Sequence, residues 1–375
     1  KKWFPCTKGG TFRRWYGNKD YLIAFDTENY EVLSQSGNHL PSRGYYFRTG
    51  ASWSTISSDN IAFRYTNNSI FETKGSICFP RKDTNIYAMI GYLNSKIVQK
   101  MLSVISPTLD YHEGPLRKVP YKYYESELIE NCVKENIDIA KLDWDSRETS
   151  WDFECNPLVS LHNEKVGQGD VDSSFSLSGY VEEFKHQWTE RFNQLHQNEE
   201  ELNRQFIGIY GLEDELTPDV PLEEITILQK GEISVVDDSI VWHEEVLIKQ
   251  LISYAVGVWM GRYKLGKKGL HIAHPKPTGT ELQAYEYGDR LVEIDDDGLI
   301  PMLPQNSPFD DNLSSRIPDF IRIAFGEDKL TENLNYIEQK LGMSIEQYVQ
   351  KNFWKEHKKM YQNRPIYWLF SSKKG

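Results

Sequence analysis

The chain has 375 residues, 39% hydrophobic and 26% charged, with a net charge of −12; this composition is globular, and the length suffices for two or three domains with proper cores. No run of 18 apolar residues occurs, so no membrane-spanning helix is expected. The four cysteines, Cys6, Cys78, Cys132 and Cys155, form no C-x-x-C pair and have no histidine at ligand spacing, which favours reduced thiols in a cytosol over a disulfide framework or a zinc site.

Short β-branched and aromatic runs separated by Ser, Asn, Gly and Asp mark strands between residues 20 and 90: Tyr21–Phe25, Tyr45–Phe47, Asn60–Tyr65 and Ser76–Phe79. From Asn85 to Ser103 the period becomes helical, with Met89, Leu93, Ile97 and Met101 at intervals of four. A Gly/Pro-punctuated stretch, Ser106–Pro120, closes this first unit. Glu127–Lys141 is an amphipathic helix, and Asn163–Ser174 is a polar loop. The strongest signal follows: Leu177, Val181, Phe184, Trp188, Phe192 and Leu195, continued by Leu202, Phe206 and Ile209. A helix over 178–210 would be about 50 Å long and reads as a spacer or a partner-helix surface. His243–Leu265 is apolar on most sides and reads as a buried helix. Residues 313–325, 331–341 and 344–360 complete the helical part, with Gly342 as a stop and Ser344/Gln347 as a capping box. The fold class expected is α+β: a mixed, β-rich domain over residues 1–125, then a mainly α-helical region over 126–375 with one long helix.

Charge follows the same division. Residues 1–124 hold seventeen Lys and Arg against nine Asp and Glu, a net of +8, while the rest of the chain is at −20; the first segment also carries 22 of the 49 aromatics. A polyanion is the natural partner of such a segment, because cations that neutralise phosphates release counterions. The alternative is that the acidic remainder balances this charge in the fold. The chain starts at Lys1 without an initiator Met or signal peptide and stops just after the apolar run Ile366–Phe370, which reads as a piece of a longer polypeptide.

No catalytic constellation stands out. Gly167-Gln-Gly169 lacks the strand that must enter a cofactor loop. Pro318-Asp319 with Glu327-Asp-Lys329 imitates a nuclease pattern in helical surroundings, where a capped helix end is the simpler reading. His271-Ile-Ala-His274 lacks metal-ligand spacing, and Asp295-Asp-Asp-Gly298 reads as a solvated acidic turn. Binding signals are better. Lys8-Gly-Gly-Thr-Phe-Arg-Arg-Trp-Tyr16 sets a glycine pair among three cations and three aromatics; glycine amides approach phosphate closely, and arginine contacts phosphate or guanine in bidentate fashion. Arg48–Ser58 is rich in hydroxyls, which commonly bond phosphate oxygens. From residue type, the candidate DNA contacts are Lys8, Arg13, Arg14, Arg48, Ser52, Ser54, Ser57, Arg64 and Lys74. An ordinary solvated turn with a core tryptophan is the competing reading of both stretches.

Several motifs resemble one family. They are Lys8-Gly-Gly-x-Phe-Arg-x-Trp-Tyr-Gly17, Phe47-Arg-x-Gly-x-x-Trp-Ser-x-Ile-Ser-Ser58, Ala62-Phe-Arg-Tyr65, Gly91-Tyr-Leu-Asn-Ser-Lys96 and Ser106-Pro-Thr-Leu109. Asp143-Trp-Asp-Ser-x-Glu-Thr-Ser-Trp-Asp-Phe153, Glu201-Leu-Asn203, Ile209-Tyr-Gly-Leu212, Ile252–Gly257, Gly261-Arg-Tyr263 and Arg364–Ser372 continue the set. Together the chain resembles the PglX-type adenine-specific DNA methyltransferases of BREX phage-defence systems, relatives of the type IIG restriction-modification enzymes. The resemblance implies N6-adenine methylation of duplex DNA by the whole protein, with S-adenosylmethionine as methyl donor and the target base flipped from the stack. No N-P-P-[YF] tetrapeptide and no cofactor loop occurs in these residues. The chain is therefore expected to be a target-recognition region with a helical region behind it, itself without cofactor or activity, in a bacterial cytoplasm. The partners this implies are double-stranded DNA, an upstream methyltransferase domain of the same polypeptide, other defence-system subunits and a phage DNA-mimic protein. Two alternatives remain at this point: a module that docks other subunits of the defence complex, and the specificity half of a type IIG enzyme.

Overall fold

The computed structural model describes all residues except 38–39, 41, 57–59, 73, 82–83, 107–109, 168–174, 304–310 and 372–375. The first 145 residues form β1 (Trp3–Thr7), β2 (Leu22–Ala24), α1 (Thr27–Gln35), β3 (Gly50–Trp53), β4 (Phe63–Thr66), β5 (Ile70–Phe71), β6 (Ile77–Cys78), α2 (Ile86–Asn94), α3 (Lys96–Ile105), α4 (Glu113–Leu116) and α5 (Glu127–Asp145). β1 pairs antiparallel with β2 and parallel with β5. β3 lies between β4 and β6, antiparallel to both, with Trp53 opposite Phe63 and Ser52 opposite Arg64. These sheets are small; Trp53 and Phe63 pack 5.6 Å apart on neighbouring strands, and Phe4 of β1 lies 5.6–6.1 Å from Phe47 and Phe25.

Two expectations change here. Tyr45–Phe47 is not a strand: Arg43–Tyr45 is a 3₁₀ turn, and Phe47 takes a positive φ of 66°. The helix expected over 85–103 is broken at Ser95, whose extended backbone ends α2 and begins α3. The break is stabilised from outside the helix, since the Lys96 amide donates to Asn203 Oδ1 at 2.8 Å.

The remaining elements are α6 (Pro157–Gly167), α7 (Leu177–Tyr210), β7 (Ile233–Val236), β8 (Ser239–Trp242), α8 (Glu244–Trp259), β9 (Tyr285–Tyr287), β10 (Arg290–Val292), α9 (Leu313–Phe325), α10 (Leu330–Leu341), α11 (Ile345–Tyr348) and α12 (Trp354–Met360), with a π-helical turn at Val349–Phe353 joining the last two. The fold is α+β with one helix of 34 residues. Gly342 closes α10 with a φ of +66°, and Ser344 accepts a bond from the Gln347 amide, as the capping pattern requires. No helix among the described residues is long and apolar enough to cross a membrane.

The chain divides into two compact units. Unit 1 comprises Lys1–Trp144, Thr189–Gln229 and Asp237–Ser239; unit 2 comprises Asp145–Trp188, Lys230–Val236 and Ile240–Gly375. Residues 127–144 and 189–229 thus join the β-rich segment, which the charge boundary near residue 124 had separated from them. Unit 1 consequently holds 21 Lys and Arg against 27 Asp and Glu, a net of −6. Its core includes Trp15, Trp53, Phe63, Tyr92 and Phe192, each at most 1% exposed, and burying each stabilises the fold by about 1.5–3 kcal/mol. In unit 2, α8 is buried from Leu251 through Trp259, and Phe153, Tyr254 and Tyr263 form a ring cluster with centroids 5.0–6.0 Å apart.

The α7 seam is a correction at the level of packing. Leu177, Val181, Phe184 and Trp188 are buried in unit 2, and Phe192, Leu195, Leu202 and Phe206 in unit 1. The apolar stripe read as a spacer or partner surface is used inside the chain's own cores.

Candidate nucleic-acid interface

The site lies in unit 1, where the loop after β1 carries Lys8 to Tyr16. Its two arginines point inward. Arg13 is 2% exposed: Nε donates to the Tyr16 carbonyl at 2.6 Å, and Nη2 donates to Asp143 Oδ2 at 2.6 Å and to the Ala140 carbonyl at 3.0 Å. Asp143 Oδ1 in turn accepts from the Leu228 amide. Arg14 donates to Glu199 and Glu224, both at 2.5 Å, and the Trp15 indole N–H donates to Glu199 at 2.7 Å. Burial works to lower the Arg14 pKa, but the two carboxylates outweigh it and hold the guanidinium above its ordinary value.

Four candidate contacts are therefore corrected. Arg13, Arg14, Arg64 and Ser52 are all at most 3% exposed, and none presents its side chain to a duplex in this conformation. The physical reason is the same for Arg13 and Arg14: acidic residues distant in sequence supply buried counter-charges. Ser52 bonds the Arg64 carbonyl across the β3–β4 pair. Ser57 lies outside the described residues.

Lys8, Arg48 and Lys74 are exposed, and Ser54 is half-buried. Ser54 and the Lys74 backbone pack against the glycine pair, and Lys8, its ammonium 5.1 Å from the Tyr21 ring, precedes it in the chain. Ser54 Oγ donates to the Gly10 carbonyl at 2.9 Å. Gly9 has a φ of +89°, and a Cβ there would stand 3.0 Å from the Lys74 carbonyl and 3.4 Å from Ser54 Oγ; a Cβ on Gly10, at φ +152°, would lie 2.5 Å from Asn18 Cγ. Only glycine fits this close approach. Among the described residues, the backbone amides of Gly9, Gly10, Thr11 and Phe12 donate to no protein acceptor. Arg48 stands apart from this loop, its guanidinium 5.0 Å from the Tyr45 ring and 5.5 Å from that of Phe79. Those two rings also help wall a cleft of about 710 Å³, which has the carboxylates Glu72 and Glu113 in its lining.

The sequence motifs without a binding reading are explained by local bonds. His271 and His274 both bond Glu281, and Asp295 accepts from Arg316 Nη2 and from the Leu299 amide. Gly167 ends helix α6, so no strand runs into it; the part of this loop beyond it lies outside the described residues. The four thiols are unbridged. What sequence reasoning missed is the counter-charge set Asp143, Glu199 and Glu224. Asp143 heads one of the motifs quoted above, but nothing local marks it as the partner of Arg13.

No protein-family model matches the chain. Two relatives are similar along its length. One is an adenine-specific methyltransferase BrxX of Escherichia coli O9:H4 (strain HS), 32% identical over 389 residues, a match that covers 100% of this chain and 31% of the relative. The other is an adenine-specific methyltransferase PglX of Lacticaseibacillus casei (strain Zhang), 32% identical over 390 residues, covering 99% of this chain and 30% of the relative. The chain spans about a third of the length of these relatives.

Proposed function

The chain belongs to the PglX-type family of adenine-specific methyltransferases, and from that premise we propose that it recognises double-stranded DNA for an N6-adenine methyltransferase of phage defence. The observation that carries this reading is the end-to-end similarity to adenine-specific methyltransferases in a sequence that contains no N-P-P-[YF] tetrapeptide. The exposed Lys8, Arg48 and Lys74 of unit 1 supply cations of the kind that position a protein on a phosphate backbone. Methyl transfer belongs to a separate domain of the same polypeptide, which supplies S-adenosylmethionine and the pocket for the flipped base. Gly167 of the G-x-G motif closes helix α6 instead of opening a loop behind a strand. Such a protein works in the bacterial cytoplasm, where its DNA is.

Binding of a fluorescent duplex by the chain at two salt concentrations tests the reading. Affinity detectable at low salt and weakened by added salt supports it; no binding at low salt overturns it.

A second reading, docking of other defence-complex subunits, is favoured by Trp368 and Phe370, which are 78% and 80% exposed. Capture of those components by the wild type but not by a Trp368→Ala/Phe370→Ala variant supports docking at this patch, and equal capture by both rejects it.

A further inference from the structure

Arg64 differs from the other buried arginines of unit 1. Arg13 and Arg14 face carboxylates at 2.5–2.6 Å. Arg64, 2% exposed, donates from Nη1 to the Arg13 carbonyl at 3.2 Å and from Nη2 to Ser54 Oγ at 3.3 Å. Among the described residues no carboxylate pairs with it, and it has no further partner. Burial, with the neighbouring Arg13 charge, pushes its pKa down to about 10. A buried cation without a counter-charge among the described residues is costly, and an anion placed near it would offset that cost.

Hydrogen bonds connect Arg64 to the glycine loop. Its guanidinium is one hydrogen bond from Ser54, and Ser54 is one hydrogen bond from the Gly10 carbonyl. That carbonyl belongs to the loop whose amides from Gly9 to Phe12 have no protein acceptor among the described residues. Exposed Lys8 opens that loop, and the Lys74 backbone packs against Gly9. The Lys8 ammonium rests 5.1 Å from the Tyr21 ring, while Gly10 and Thr11 are exposed; unbonded amides of a glycine-rich turn with lysines nearby in the chain are the usual components of a phosphate site. The turn that carries Lys74 begins with one carboxylate, Glu72, which is exposed. The 710 Å³ cleft does not compete for this ligand, since its lining includes both Glu72 and Glu113.

We propose that the Lys8–Phe12 loop is the seat of one phosphodiester group of bound nucleic acid, contacted by Lys8, Lys74 and the loop amides, with Arg64 as a positioning residue that supplies buried positive charge through Ser54. This rests on the duplex-binding reading above and adds to it the place and the ligand chemistry.

The test uses the intact protein and two probes, a duplex oligonucleotide and inorganic phosphate. Replacing both exposed lysines (Lys8→Ala with Lys74→Ala) is expected to leave the thermal midpoint unchanged, weaken duplex binding, and reduce the slope of log affinity against log salt by about 1, for the one phosphate no longer neutralised. Arg64→Met is expected to weaken duplex binding as well, although the side chain is out of reach of solvent. Amide resonances of Gly9 and Gly10 should shift on adding duplex. A wild type that binds the duplex while the double-lysine variant binds with the same affinity and slope overturns the seat and leaves duplex recognition standing. A wild type that fails to bind duplex overturns the recognition reading itself. If the glycine amides respond to inorganic phosphate but not to duplex, the loop holds a free ion and the phosphodiester assignment fails.

Discussion

Asp143 ties separate parts of unit 1 together. It accepts from Arg13 with one oxygen and from the Leu228 amide with the other, and it is fully buried. Asp143→Ala leaves the Arg13 charge buried without its partner, which costs about 3–5 kcal/mol; a urea titration of the variant should show the midpoint lowered accordingly. His357 gives a residue-scale prediction of a different kind. It is 3% exposed and packed among the rings of Phe353, Tyr361 and Tyr367. Burial, reinforced by the Arg262 charge, pushes its pKa down to about 4. The unfolded chain then takes up this proton more readily than the folded one, so stability is full above the ordinary histidine range and falls as the pH drops towards about 4. His357→Phe should flatten that part of the curve of unfolding midpoint against pH.

At the scale of elements, Glu244 joins three helices. One of its oxygens accepts from Lys185 on α7 at 2.7 Å; the other accepts from Tyr336 and Lys340 on α10, at 2.7 and 2.6 Å. Burial works to raise its pKa, but the bonds from Lys185, Lys340 and Tyr336 outweigh burial and hold it at about 2. The sign follows from linkage: the stabilisation is present above the ordinary glutamate range and is lost as the pH falls from there to about 2. Glu244→Gln should therefore lower the midpoint of unit 2 at neutral pH and show less further loss on acidification, read by thermal unfolding over pH 2–7. The helices themselves were legible from the apolar period, α7 and α9 almost to the residue. The break at Ser95 was not, because its cause is Asn203 accepting the Lys96 amide from more than a hundred residues away.

For the whole molecule, the +8 segment does not become a basic body, since unit 1 carries a net charge of −6. Duplex binding then depends on local cations and not on a broad positive field, and its salt dependence should be shallow. With Lys8 and Lys74 on one phosphate and Arg48 on a second, the slope of log affinity against log salt is expected to be about −2. A slope near zero would show that these cations do not meet phosphate.

Periodicity and capping residues determined most helices, because a helix is a local object whose apolar face repeats every three to four positions. The motifs likewise marked Lys8–Tyr16 as chemically loaded. Which of its cations face solvent was decided only by tertiary structure. Exposure depends on what packs against a side chain, and the carboxylates that bury Arg13 and Arg14 lie on α5, on α7 and in the segment after α7. The same holds for Arg64: its sequence neighbourhood resembles that of any strand arginine, and that no carboxylate among the described residues pairs with it is a property of the folded surroundings.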